Sequence, residues 1–228
     1  VKMKKVAIIP ARIGSKRIPK KNIKPFCGKP IIYWSIKAAI KSNIFDKIIV
    51  STDNDEIAKI AERYGAHVPF KRPKSLSDDF TGTIPVIKHA INWVNKNISK
   101  VDYACCIYPT APFIKPSYLK KGLEKLIQEN ARFAVSITKY PYPIQRAIRI
   151  NEKGRINMLK SDQFDQRSQD LQEIFHDAGQ FYWGVTSAWE NDKKFFNDEC
   201  VPVLIPRYLV EDIDNSEDWK RAEIMSNA

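Results

Sequence analysis

Apolar residues along this chain come in two rhythms. Runs at 6–10, 47–51, 66–70, 103–107 and 133–138 are almost continuously apolar, as expected of strands covered on both faces of a sheet. Between them the apolar positions fall three and four apart. Over 83–96, for example, Ile84, Ile87, Ile91 and Val94 make one helical stripe. Helices are likewise expected at 30–41, with Pro30 in the first turn, and at 56–64, 83–96 and 116–129. Thr52-Asp53-Asn54-Asp55 offers caps for the second of these, and Gly65 a stop. Strict strand–helix alternation predicts an α/β protein, with a mostly parallel sheet flanked by helices on both faces.

The rhythm breaks after Lys139. Residues 140–178 hold Tyr140-Pro141-Tyr142-Pro143, a possible hairpin turn at 151–154 and a polar stretch at 160–172. They are expected to leave the sheet as an excursion, with 1–139 and 179–228 forming the core. Strands at 180–185 and 201–205 return to it. A helix at 216–225 closes the chain, with Ser216 as its cap and Glu217 and Asp218 in its first turn.

In open parallel sheets ligands bind beyond the carboxyl ends of the strands. That directs attention to the turns 11–24, 51–55, 71–82, 108–115 and 207–214. The first is the most distinctive, because Arg12, Lys16, Arg17, Lys20 and Lys21 fall within ten residues. Arg12 directly follows the strand and can present a bidentate fork to a phosphate; Lys16 and Lys21 supply point charges. Gly14 allows the backbone to bend, while Ser15 and Asn22 bring neutral donors. A Walker A motif and GxGxxG are both missing, so this is another kind of phosphate loop. A basic cluster is ordinarily a solvated face. Its place after a buried strand is what favours an anion site.

Charge and composition narrow the partners. With 38 Lys+Arg against 26 Asp+Glu the net charge is +12, which suits nucleic acid, anionic membranes or small polyanions. No helix-turn-helix, zinc-finger, RRM or KH signature occurs, so no nucleic-acid partner is expected. No apolar run approaches the ~20 residues of a membrane span, and the one that follows the basic N-terminus stops at Pro10 like a buried strand. Cys27, Cys105, Cys106 and Cys200 form no CxxC pair and read as reduced thiols of a cytoplasmic protein. Asp212 and Asp214, one residue apart in an extended segment, would share a face with Ile213 turned to the core. Such a pair can approach a hard cation such as Mg²⁺ (or Mn²⁺), although a lone pair of this spacing is a weak signal.

Pro10-Ala11-Arg12, Gly14-Ser15-Lys16-Arg17, Pro19 and Lys21-Asn22 closely resemble the opening block of the CMP-nonulosonic (sialic-type) acid synthetases. Val50-Ser51-Thr52-Asp53, Arg72-Pro73, Leu76-Ser77-Asp78, Pro109-Thr110-Ala111-Pro112 and Asp212-Ile213-Asp214 resemble further family blocks in the right order. The resemblance implies a Rossmann-like core of the nucleotide-diphospho-sugar transferase type and transfer of CMP from CTP to a nine-carbon 2-keto sugar acid. It gives Arg12, Lys16 and Lys21 catalytic roles. It makes Ala11, Arg12, Gly14, Ser15, Asn22, Arg72, Ser77 and Asp78 nucleotide contacts, and Asp212 and Asp214 metal ligands. The octulosonate-activating relatives typically read Pro-Gly-Lys-Pro where this chain has Pro19-Lys20-Lys21-Asn22, which favours the nine-carbon group.

Within that group the second half is most similar to the pseudaminic acid cytidylyltransferases, through Pro143-Ile144-Gln145-Arg146-Ala147, Arg167-Ser168-Gln169-Asp170-Leu171 and the block 176–184. Sialic acid synthetases usually carry Gln where Tyr108 stands and Asn where Ala178 stands. The resemblance thus implies pseudaminic acid as substrate, read by Gln145, Arg146, Arg167, Gln169, His176 and Asp177, in a homodimer built through the excursion. The alternatives are N-acetylneuraminate, legionaminate or octulosonate as the sugar, or a basic nucleic-acid-binding protein.

Overall fold

The first strand, β1 (Lys5–Pro10), is five apolar residues after a lysine, and it lies inside the sheet with neighbours on both sides. The computed structural model describes residues 3–159, 165–191 and 194–227. After β1 come a two-residue hairpin, β2 (Pro25–Phe26) and β3 (Lys29–Pro30), then α1 (Ile32–Ser42), β4 (Lys47–Ser51) and α2 (Asp55–Arg63). The middle of the chain supplies α3 (Thr83–Asn97), β5 (Tyr103–Ile107), α4 (Pro116–Gln128) and β6 (Phe133–Lys139). A second hairpin, β7 (Ile148–Ile150) and β8 (Ile156–Met158), precedes β9 (Phe175–Val185), α5 (Thr186–Glu190), β10 (Cys200–Leu204) and α6 (Ser216–Ser226).

Six strands form the main sheet in the order β10-β6-β9-β5-β1-β4. The β1–β4, β1–β5 and β10–β6 pairs are parallel, and β9 runs antiparallel to β5 and β6. Alternation along each strand divides the core. Ala7, Ile9, Cys105, Ile107, Phe181 and Trp183 face α1, α2 and α4. Val6, Ile8, Ala104, Cys106, Tyr182 and Phe133 face α3 and α5. Both faces are therefore covered, which is why these strands read as unbroken apolar runs. α4 lies so close to β9 that a Cβ at Gly122 would come within 2.8 Å of the Trp183 ring. A third cluster, Ile18, Phe26, Ile31, Ile213 and Trp219, seats α6 against the first hairpin.

Four local expectations are revised. The segment 66–70 is not a strand; it makes isolated bridges at His67 and Lys71, because Pro69 has no N–H for a ladder. The first long helix starts at Ile32, since Pro30 pairs with Pro25 across a turn whose residues Cys27 and Gly28 both have positive φ (50° and 77°). Asn215, not Ser216, caps α6, in a capping box with Asp218. β9 begins at Phe175, ahead of the strand expected from 180. Its register against β6 shifts between Val135 and Ile137. There the Ser136 hydroxyl donates to the Phe181 carbonyl and accepts its N–H, both at 3.0 Å.

Candidate active site

β4 lies on one side of β1 and β5 on the other, so the chain reverses its direction of sheet growth next to β1, the usual place for a ligand crevice. A cavity of about 620 Å³ opens there, lined by the loop after β1, the segment from Arg72 to Val86, the end of β5 at Tyr108–Thr110, and Asp212 and Asp214.

Arg12, Lys16, Arg17 and Lys21 line this cavity. Lys20 does not: it takes the loop's left-handed conformation (φ 52°) and its ammonium pairs with Glu56 in the first turn of α2 at 2.7 Å. Gly14 is not where the backbone bends. Its φ is not positive, and a Cβ there would meet only Arg12 Nη1, at 3.9 Å. The Ser15 amide donates to the Ile13 carbonyl at 2.9 Å and its side chain reaches the cavity. The Asn22 side-chain amide donates to the Arg12 carbonyl at 2.8 Å and so braces the loop from within. Ala11 is wholly buried, its N–H held by the Ser51 carbonyl at 2.9 Å.

Opposite these cations stand two carboxylates. Ile213 is fully buried, and Asp212 and Asp214 on either side of it both reach the cavity. Asp214 accepts from Arg17 Nη2 at 2.8 Å and faces Lys21 Nζ at 3.4 Å. Lys21 also donates to the Ile213 carbonyl at 2.5 Å, and the Asp214 N–H is held by Asp218 at 2.8 Å. The capping box of α6 thus fixes the acidic pair. Burial, and then the Asp214 charge, push the Asp212 carboxyl above the usual range, with Lys21 pulling the other way. Gly179, at φ 60°, passes beneath Asp212: a Cβ there would lie 3.5 Å from the carboxylate. No group of three or more His, Cys, Asp or Glu gathers among the described residues. Two carboxylates under mutual repulsion, Asp212 exposed and Asp214 partly so, suit a hard cation that takes its remaining ligands from phosphate or water.

Arg72 is buried to 4% exposure yet lines the cavity. Its Nε donates to Ser77 Oγ at 3.1 Å, while Nη2 has no hydrogen-bond partner and stands 3.9 Å from Asp53. Asp53 does not cap α2; Asn54 does, and Asp53 accepts the Ile13 N–H at 3.3 Å. Ser77 is therefore the brace of Arg72. Asp78 holds its own loop, taking the N–H groups of Phe80 and Thr81 at 3.0 and 2.7 Å.

At the end of β5 the Tyr108 hydroxyl bonds Thr83 Oγ1 at 2.9 Å, and its ring tilts against Tyr182 at 5.3 Å. Tyr182 in turn donates to Asp177 Oδ2 at 2.5 Å, and Asp177 Oδ1 accepts the Gly179 N–H at 2.8 Å. Burial pushes the Tyr108 phenol up to about 12 and the Tyr182 phenol higher still, so both stay neutral donors.

The residues expected to read the sugar are not gathered in this cavity. His176 and Asp177 line a separate concavity with Ile137, Phe175 and Phe196, and the Asp177–Tyr182–Tyr108 wall joins it to the main one. Gln145 donates to the Gln172 carbonyl at 2.8 Å, its own carbonyl oxygen buried without a partner. Arg146 donates to the Gln166 carbonyl at 2.6 Å, and Arg167 pairs with Asp170 at 2.7 Å. Gln169 is exposed in the short turn between them. Among the cavity residues that the sequence does not single out are Thr83, and Asp79, which pairs with both Arg12 and Lys16. Neighbouring acids in a turn look like caps, and nothing local says which of them turns to cations more than sixty positions away.

Comparison with known proteins bears on fold and family. A CMP:2-keto-3-deoxy-manno-octonic acid synthetase, solved with CTP, superposes with TM-score 0.71 over 98% of each chain at 14% identity, a likeness of fold. Pseudaminic acid cytidylyltransferase of Campylobacter jejuni is 43% identical over 98% of this chain and 96% of its own length. CMP-N,N'-diacetyllegionaminic acid synthase of Legionella pneumophila is 30% identical over 97% and 95%. The family model described as cytidylyltransferase matches residues 6–181, which carry the cationic loop, Arg72 and the β5 edge, and the chain belongs to that family.

Proposed function

We propose that the protein transfers CMP from CTP to a nonulosonic acid, with pseudaminic acid as the sugar and pyrophosphate as the other product. The observation that carries this reading is the convergence of Arg12, Lys16, Arg17 and Lys21 with Asp212, Asp214 and the buried Arg72 guanidinium on one cavity. A nucleoside triphosphate needs all three kinds of group. The cations hold the phosphates, and Arg72 offers N–H donors to the acceptor edge of cytosine. Asp212 and Asp214 would hold a divalent ion, which when bound neutralises phosphate oxygens and acidifies a coordinated hydroxyl. The sugar hydroxyl attacks the α-phosphorus in line, an O–P bond forms, the bond to the pyrophosphate oxygen breaks, and the hydroxyl proton is released to solvent. Nucleotidyl transfer of this kind depends on alignment and charge neutralisation. Lys21, mostly buried between Ile213 and Asp214, is the best-fixed cation for that alignment.

The sugar lies on the Tyr108–Tyr182–Asp177 side, towards the concavity that holds His176. The 43% identical relative favours pseudaminate over the other sugar acids. The β7–β8 hairpin presents Ile148, Ile150 and Ile156, exposed by 58%, 76% and 67%, on one face, and a second copy of the chain would cover them in a homodimer. No helix among the described residues is long and apolar enough to cross a membrane, and all four cysteines are free, as suits work in the cytoplasm. Pyrophosphate release measured for CTP, UTP and ATP against pseudaminic, legionaminic, N-acetylneuraminic and octulosonic acids tests the proposal. CTP with pseudaminate should turn over fastest. Preference for another nucleotide, or release that ignores the sugar acid, refutes it.

A further inference from the structure

Two carboxylates meet the cations of the cavity, and they are anchored differently. Asp214 follows the fully buried Ile213, and its N–H is held by Asp218. Asp79 sits on an exposed segment whose next residue, Phe80, is 95% exposed. Its Oδ1 takes Arg12 Nη1 and its Oδ2 takes Lys16 Nζ, each at 2.5 Å. The same Arg12 nitrogen donates to the Asp78 carbonyl at 2.9 Å. These contacts fasten the 78–82 segment to the phosphate loop. The turn made by Asp78 with the Phe80 and Thr81 N–H groups gives the segment a shape of its own.

A phosphate oxygen seated on Arg12 and Lys16 needs donors that Asp79 is using, and it would stand within a few ångströms of the Asp79 carboxylate. Like charges that close, in a half-open site, repel appreciably. Both anions cannot hold the two cations at full strength. Lys16 and Asp79 are both partly exposed, so exchanging one anion for the other disturbs no core packing.

We infer that Asp79 is an internal competitor for the pyrophosphate end of the nucleotide, yielding Arg12 and Lys16 when triphosphate enters and reclaiming them as pyrophosphate leaves. It is a positioning residue that acts through two cations, and it sets how readily pyrophosphate is released. The inference rests on the reading that these cations hold the β- and γ-phosphates.

Calorimetric titration of inorganic pyrophosphate and of CMP, at fixed Mg²⁺, into the wild type, Asp79→Asn and Asp79→Ala tests it. Both variants should bind pyrophosphate about three- to tenfold more tightly, the scale of two partly exposed ion pairs, with CMP affinity unchanged. In turnover, KM for CTP should fall while kcat does not rise, and pyrophosphate should inhibit at lower concentration. Asp79→Glu should restore wild-type behaviour. Unchanged or weaker pyrophosphate binding in both variants overturns the inference, because Asp79 would then only hold Arg12 and Lys16 in place. Failure of the functional proposal shows elsewhere, as a wild type that binds pyrophosphate but does not turn over CTP.

Discussion

Replacing Arg72 with methionine separates what this side chain does for the fold from what it does for a ligand. The Arg72 side chain is 3% exposed, and its Nη2 has no hydrogen-bond partner. A buried donor left unsatisfied costs about 1–3 kcal/mol. Against that, the fold gains one hydrogen bond to Ser77, about 1 kcal/mol, and a weak attraction to Asp53 at 3.9 Å. Methionine fills similar space without a donor or a charge. The stability change should therefore lie between no effect and a gain of about 2 kcal/mol, unusual for so buried a residue. The ligand should notice far more. Losing charge-assisted hydrogen bonds to the cytosine edge forfeits about 2–3 kcal/mol, or about 30- to 150-fold in KM for CTP.

Urea melts with and without CTP, beside steady-state kinetics, read both quantities. For the wild type, CTP at about a hundred times its Kd should add about 2.7 kcal/mol of stability, and at the same concentration Arg72→Met should keep only about 0.3–0.9 kcal/mol of that increment. Arg72→Lys keeps the charge but not the planar fork and should rescue CTP binding only slightly. If Arg72→Met unfolds by more than about 2 kcal/mol and still binds CTP normally, the guanidinium is a structural strut and the reasoning fails.

Three further outcomes are expected. Asp212→Asn should abolish Mg²⁺-dependent pyrophosphate release yet leave the thermal midpoint little changed, because the Asp212 side chain is exposed and packs into no core; normal turnover would take Asp212 out of the metal site. His89, whose ring nitrogen is held below its usual value by burial and then by Arg72, should destabilise the protein on acidification. A depressed histidine contributes stability that is full above its ordinary value of ~6.5 and lost as pH falls through its folded value, so His89→Gln should flatten the urea-melt stability profile between about pH 7 and 5. The wild type should have the mass of a dimer by light scattering, and Ile150→Glu with Ile156→Glu, both exposed on the β7–β8 hairpin, should halve it while leaving the far-ultraviolet spectrum unchanged; a monomeric wild type, or a dimer that survives in the variant, would refute the hairpin interface.

What could be read from the sequence, and what could not, follows from how local each determinant is. β1 and its cationic loop were legible because an apolar run buried on both faces, followed at once by charge, is a one-dimensional signal. The alternation that turns Ile213 inward and Asp212 and Asp214 outward is equally local, depending only on i and i+2 positions. Misreadings arose where a short-range signal met a longer-range demand. Residues 66–70 have strand composition, but Pro69 denies the ladder a donor. Lys20 belongs to the basic cluster, yet its left-handed backbone hands it to Glu56. Asp79 was hidden because its partners, Arg12 and Lys16, lie across the cavity on another loop. The placement of His176 and Asp177 depends on register, which the sequence alone does not set. His176 and Asp177 enter β9 at positions set by the shift opposite Ser136, and the Tyr182 hydroxyl ties Asp177 to the wall of the nucleotide cavity. A residue's type could nominate it for that wall, but only the pairing of β9 with β5 and β6 brings Tyr108, Tyr182 and Asp177 into one series, joined by a tilted ring contact and a hydrogen bond. The consequence is testable in kind: substitutions in the cationic loop should change how any nucleotide is held, whereas those along β9 should change which sugar acid is accepted.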